Sequence, residues 1–342
     1  MPTNQRLSPA QVQHYQDEGY LIVSDLFTPA ELTPLRQELE QKIDEKVQQL
    51  AAEGKITNLH SNEPFETRVA RIFADLPENG HAILKSLEGV AGGGHCGIEM
   101  FNVITHRKLL AVMESLVGPE IVASSVYRIR PKLPGLDRGI VPWHQDSGYF
   151  EQHCDRHLIV TCWIPLIDAT EENGCLQILP RVHKRGIMPH HTGGNAGFLV
   201  IEDQDLPNAG QPPIVAECPL GGIVLLTNLT PHCSTPNRSH QIRWSIDLRY
   251  QAADAPNNLD IMPDIEGEPA TDVLMACYPP EADFLVQSAA QPQRVNTYEE
   301  FTARRTHYDA LKQKHYPVRP WTPAGKAAPT RPWWEAPEKA NV

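Results

Sequence analysis

Between Gln241 and Gln251 the chain alternates with a period of two. Ile242, Trp244, Ile246, Leu248 and Tyr250 fall on one face of an extended strand, and Arg243, Ser245, Asp247 and Arg249 on the other. A barrel that holds a charged ligand must turn some polar side chains inward, and this strand fits such a wall with Arg243 facing a lumen. It ends a strand-rich stretch beginning at Ile121. Segments 121–131, 139–145, 157–166, 174–179, 213–217, 222–228 and 241–251 are short and are separated by Gly, Pro and Asn turns. That pattern predicts an all-β sandwich or barrel.

The N-terminal part is helical. Ser8-Pro9-Ala10-Gln11 carries a capping box with proline at the first helical position, and Gly19 ends the helix. Tyr20-Leu21-Ile22-Val23 predicts a strand. Thr28-Pro29-Ala30-Glu31 repeats the start signal and opens a long helix to about Ala52, with Leu32, Leu35, Leu39, Ile43 and Val47 on one side. Another helix is expected over about 106–117, stopped by Gly118-Pro119. These helices are expected to buttress a sheet. Residues 54–98 give no clear pattern, and Ala91-Gly92-Gly93-Gly94-His95 reads as a flexible segment near the mouth of a site.

The formal net charge of −12 argues against a nucleic-acid or anionic-membrane partner. No apolar stretch approaches the roughly 20 residues that span a bilayer. Seven scattered cysteines, an odd number without a CxxC pair, fit a reducing cytoplasm better than a secreted disulfide framework.

Chemistry concentrates in His144-Gln145-Asp146 and the distant His232. His-x-Asp with a second histidine is the ligand set of a two-His, one-carboxylate iron site, which leaves about three octahedral positions open. In an extended strand residues i and i+2 share a face, so His144 and Asp146 are expected to grip the metal from one strand and His232 from another. A bare H-x-D is a weak signal among 15 histidines.

The flanking residues narrow it. Trp143 to Phe150, the run His157 to Trp163, Glu172-Asn173-Gly174-Cys175, Leu179-Pro180-Arg181-Val182-His183, Pro231-His232-Cys233-Ser234 and Arg243 together closely resemble the phytanoyl-CoA dioxygenase family. The resemblance is strongest over about 123–250, weaker over 8–118, and does not extend past Gln251. It implies a mainly β double-stranded β-helix (a cupin-like jelly roll) with buttressing N-terminal helices. One domain would span 1–342: a helical part over about 8–118, a jelly-roll core over about 121–251 and an irregular extension over 252–342.

The resemblance further implies Fe(II) held by His144, Asp146 and His232, with 2-oxoglutarate and O2 as cosubstrates. Oxidative decarboxylation to succinate and CO2 would accompany hydroxylation of an aliphatic C–H bond of a small organic metabolite. Arg243 stands at the family position for the arginine on the far carboxylate of 2-oxoglutarate, where a planar fork suits two parallel bonds. Ser234 would donate its hydroxyl to the same carboxylate, and Trp163 would line that pocket. A surface ion pair for Arg243 and plain core packing for Trp163 are the alternatives. Tyr149 and Phe150 are candidate substrate contacts. So are Arg128 and Arg130, which share a strand face and suggest an anionic substrate. His183 could equally brace the sheet edge, and His153, His190 and His191 read as solvated loop residues.

The same ligands could serve a desaturase or an epoxidase. Halogenation is disfavoured, because Asp146 fills the position a halide needs. A non-catalytic jelly-roll binding protein and a zinc hydrolase are the readings from other classes, the latter without an H-x-H or HExxH motif to support it. Residues 184–213 form a long insertion expected to gate the pocket. The stretch from Tyr316, with Trp321, Trp333 and Trp334, is expected to wrap on the body or on another subunit, the latter giving a homo-oligomer.

Overall fold

The computed structural model describes residues 6–88, 95–124, 127–136, 139–150, 155–193, 198–255 and 284–315. The expected N-terminal start signals form. Helix α1 (Pro9–Glu18) begins at Ser8, whose Oγ accepts from Gln11 N–H while Gln11 Oε1 accepts from Ser8 N–H, and it ends at Gly19 with φ +82°. Strand β1 (Tyr20–Val23) follows. Helix α2 (Pro29–Ala52) starts where Glu31 closes back on Thr28 N–H at 2.8 Å, and it buries Leu32, Leu35, Leu39, Ile43, Val47 and Leu50.

The stretch without a clear pattern folds into α3 (Arg68–Asp75), α4 (Pro77–Glu88) and the start of α5 (Ile98–Ile104). The glycine run 91–94 lies outside the described residues. Helix α6 (Arg107–Val117) matches the expected span and ends at Gly118.

The β region contains β2 (Ile121–Ala123), β3 (Arg128–Lys132), β4 (Ile159–Pro165), β5 (Leu176–Ile178), β6 (His191–Gly193), β7 (Phe198–Val200), β8 (Ile214–Ala216), β9 (Ile223–Thr227), β10 (His232–Ser234) and β11 (Arg243–Ala252). Two further elements, β12 (Phe284–Gln287) and α7 (Tyr298–His315), lie in what was expected to be an irregular extension. Strand β12 pairs with β2, so this part of the tail completes the sheet edge. The segment from Tyr316 lies outside the described residues.

One sheet runs β1-β9-β4-β11-β2-β12, with β3 also on β11, and a second runs β10-β5-β8. The pairings are antiparallel. Alternation sorts the two faces of the large sheet. Val160, Cys162 and Ile164 of β4 join Trp244, Ile246, Leu248 and Tyr250 of β11 in the apolar layer shared with the helices. Trp163 of β4 and Val224 and Leu226 of β9 turn the other way, onto Leu176 and Ile178 of β5 and Ala216 of β8. Two sheets closing face to face with helices on one outer side make the expected jelly roll. The polar face of β11 turns inward, with Arg249 on Asp146 and Arg243 on Trp163.

Candidate metal centre and cosubstrate pocket

His144, Asp146 and His232 are buried, and their candidate ligand atoms all lie within 4.8 Å of one another. The expected strand over 139–145 does not form. It shrinks to one bridge, in which His144 N–H donates to His232 O at 3.0 Å and His232 N–H to His144 O at 2.9 Å. Gln145 is extended (φ −114°, ψ 140°), and Asp146 opens a 3-10 turn. The single extended residue still places its two neighbours on one side, so the ligand pair works without a strand.

The donor set fits a divalent cation. Nδ1 of His144 lies 2.9 Å from Pro142 O and Nδ1 of His232 lies 3.0 Å from Thr230 O. A carbonyl accepts only, so each Nδ1 carries the hydrogen and each Nε2 presents a lone pair. His144 Nε2 is 3.7 Å from Asp146 Oδ1. Burial, with His232 next to it, pushes His144 down to about 3, which keeps it neutral and ready to ligate. Burial alone would raise the Asp146 carboxyl. Arg249 and the two histidines more than reverse this and hold it well below the usual carboxylate range. Arg249 Nη2 donates to Asp146 Oδ1 at 3.0 Å, and Thr161 Oγ1 donates to Oδ2.

Gln145, between the ligands, is fixed from outside. Its Nε2 donates to Gly186 O at 2.9 Å and to Leu229 O at 2.7 Å, and its Oε1 accepts from Met188 N–H at 2.7 Å. Its backbone N–H donates to His190 Nε2 at 2.9 Å. His190 is therefore not a solvated loop residue. It is fully buried, with Nδ1 2.7 Å from Met188 O. The insertion is stitched to the ligand segment over 186–190 and continues as a β6–β7 hairpin, an arrangement at odds with a gate that moves as a whole. Residues 194–197 and His153 lie outside the described residues, as does the side chain of His191.

Arg243 and Trp163 come together, and Ser234 joins them through Lys132, which lies opposite Arg243 in the β3–β11 register. The Arg243 guanidinium carbon stands 5.2 Å from the Trp163 ring centre. Arg243 Nε donates to Gly174 O at 3.1 Å, and Nη1 donates to Ser245 Oγ. Ser234 Oγ accepts from Val141 N–H at 3.0 Å and from Lys132 Nζ at 2.7 Å, so its own hydrogen points to neither. Lys132, on the same strand as Arg128 and Arg130, is 2% exposed.

The substrate candidates divide. Phe150 is buried against the Arg249 guanidinium. Arg130 grips Asp247 through Nε and Nη2, both at 3.1 Å, which occupies its fork. Arg128 is half-buried opposite Asp247 in the β3–β11 register. The Tyr149 side chain lies outside the described residues. His183 takes the bracing role: it is buried, with Nε2 3.1 Å from Gln16 O of α1.

Comparison with known proteins agrees with this geometry. The profile described as phytanoyl-CoA dioxygenase (PhyH) matches residues 15–245. Peroxisomal phytanoyl-CoA dioxygenase from Bos taurus is 26% identical over 258 residues, covering 73% of this chain and 70% of that protein. Phytanoyl-CoA dioxygenase domain-containing protein 1 from Mus musculus is 27% identical, covering 72% of this chain and 91% of its own length. The fold is shared with the apo form of the non-heme monooxygenase ThoJ at a TM-score of 0.52 and 16% identity, covering 89% of this chain and 99% of that one. The chain belongs to the phytanoyl-CoA dioxygenase family, and its reaction class is that of the iron- and 2-oxoglutarate-dependent oxygenases.

Proposed function

We propose that the chain hydroxylates an aliphatic C–H bond of a small organic metabolite, with 2-oxoglutarate converted to succinate and CO2. The observation that carries the reading is the polar face of β11, from which Arg249 reaches Asp146 and Arg243 reaches Trp163. The two-His, one-Asp cluster and the Arg243–Ser234–Trp163 group are drawn from β4, β10, β11 and the segment before β4, and all are buried. Iron bound at the cluster, with 2-oxoglutarate and O2, supplies the oxidising power. The residues supply position. His144, Asp146 and His232 would hold one face of the ion. Arg243 and Ser234 would take the far carboxylate, and the Trp163 ring would close the side of the pocket.

No helix among the described residues is long and apolar enough to cross a membrane. Cys162, Cys175, Cys218 and Cys233 are free and buried, in keeping with a reducing cytoplasm.

The test is a succinate-release screen of the full chain with Fe(II), 2-oxoglutarate and ascorbate against grouped candidate metabolites. Substrate-stimulated succinate with a product heavier by one oxygen is expected. Succinate with a product lighter by two hydrogens would replace hydroxylation by desaturation. No stimulated succinate with any group, from protein that binds iron and 2-oxoglutarate, would overturn the reading in favour of a binding protein.

A further inference from the structure

We infer that Lys132 is a second cation of the subsite opened by Arg243, so that the far carboxylate of 2-oxoglutarate is held between two positive charges. This rests on the reading of Arg243 given above.

Buried cations are normally paired with acids. The polar face of β11 follows that rule in buried Arg249 on Asp146, and half-buried Arg130 likewise pairs with Asp247. Lys132 and Arg243 break it. They are 2% and 3% exposed and lie opposite each other in the β3–β11 register, yet neither has an acid within ion-pair distance among the described residues. Lys132 Nζ donates to Ser234 Oγ and to Thr235 O, and Arg243 donates to Gly174 O, Arg130 O and Ser245 Oγ, all neutral acceptors. Asp247 attracts Arg243 only from beyond ion-pair distance, and Lys132 has no carboxylate acting on it among the described residues, so the two facing like charges cost free energy that a bound carboxylate reduces.

One glycine places both. Gly174 (φ +98°) holds Arg243 through its carbonyl, and a Cβ there would overlap the Lys132 side chain and come within 3.2 Å of Nζ. Ser234 lies at the meeting point, with its hydroxyl hydrogen directed away from its two donors. An anion there would meet an ammonium, a guanidinium and a hydroxyl.

Burial, with Arg243 next to it, brings Lys132 down to about 7. Its titratable and charged neighbours are Arg130 on its own strand, Arg243 on β11, Cys233 on β10 and Cys175 before β5. Burial lifts the two thiols to about 12 and about 11, and Arg243 stays charged to about 10. Lys132 is therefore the member of this group that changes charge between pH 6 and 9. Carboxylate binding favours its protonated form, so affinity for 2-oxoglutarate should fall as pH rises past about 7.

The experiment is calorimetric titration of 2-oxoglutarate into the Ni(II)-loaded full chain from pH 6 to 9, for wild type, Lys132→Met, Lys132→Arg and Arg243→Ala. Wild-type affinity should drop toward tenfold per pH unit above pH 7. Lys132→Met should bind at least tenfold more weakly at pH 6.5, with a flat profile and unchanged Ni(II) affinity. Lys132→Arg should keep most of the affinity and also lose the pH slope, which decides the matter should the Met variant misfold. Wild-type affinity and slope in the Lys132 variants, with binding lost in Arg243→Ala, would make Lys132 a packing residue. If Arg243→Ala also binds normally, the cosubstrate subsite itself is misplaced.

Discussion

Arg249 reaches from β11 to Oδ1 of Asp146 at 3.0 Å, so the carboxylate of the metal triad already has a cationic partner before any ion arrives. Both residues are at most 6% exposed. The metal and the guanidinium therefore share one negative charge.

Removing the guanidinium should leave a buried carboxylate without compensation, at a cost of about 3–5 kcal/mol. Arg249→Ala is expected to melt earlier than wild type when metal-free and to recover most of the difference with saturating Ni(II), which supplies the missing charge. Thermal melts with and without the ion check this. An equal deficit in both states would mean that Arg249 acts through packing alone, for example on Phe150.

His144→Ala, Asp146→Ala and His232→Ala should each lose at least a hundredfold in Fe(II) or Ni(II) affinity while keeping the far-UV spectrum of the wild type. Equilibrium dialysis reads the loss. Retained affinity in all three would move the metal site elsewhere.

Burial pushes His183 down to about 4, below the ordinary histidine value of about 6.5. The unfolded chain takes up this proton first as pH falls. The stability contributed is thus complete above about pH 6.5 and is lost toward pH 4, on the order of 2–3 kcal/mol. Urea midpoints of the metal-free protein should fall from pH 7 to 5. His183→Gln, which takes up no proton, should fall distinctly less, while His144 contributes equally to both. Parallel curves for the two proteins would refute the assignment.

Gly221 has φ +97°, and a Cβ there would overlap the carbonyl of Phe27, whose N–H donates to Gly221 O at 2.8 Å. Neither backbone has a flexible side chain to move aside. Gly221→Ala should therefore destabilise the fold by at least about 2 kcal/mol, measured by urea unfolding. A neutral result would mean that the turn before β9 has room to shift.

What was legible in the chain were features that declare themselves locally. The Ser8 and Thr28 start signals, the stop at Gly19 and the two-faced strand around Trp244 each need only neighbouring residues. The triad was legible because one extended residue suffices to pair His144 with Asp146. Strand β12 was not, because its pairing with β2 is set by partners far along the chain. Helices α3 and α4 are short, separated only by Leu76, and carry a glycine packed on Phe73, which blurs their periodicity. Arg249 stands on the same β11 face as Arg243, six positions on, and that alternation was the signal for it. Nothing in the sequence told the paired Arg130 from the unpaired Lys132, since the distinction lies in where Asp247 points. His190 was misjudged because its partner is a backbone N–H, which leaves no mark on the sequence.

The stitching of Gln145 to the insertion has a bearing on how such a protein can be altered. The peptide between two metal ligands is fastened at Gly186, Met188 and His190, so part of the insertion belongs to the mechanical support of the ion. Grafting a foreign loop over 184–213 to change substrate would cut those fastenings as well. A transplant that begins after His190, leaving the first residues of the insertion native, keeps the metal seat intact and separable from the rest of the insertion in redesign.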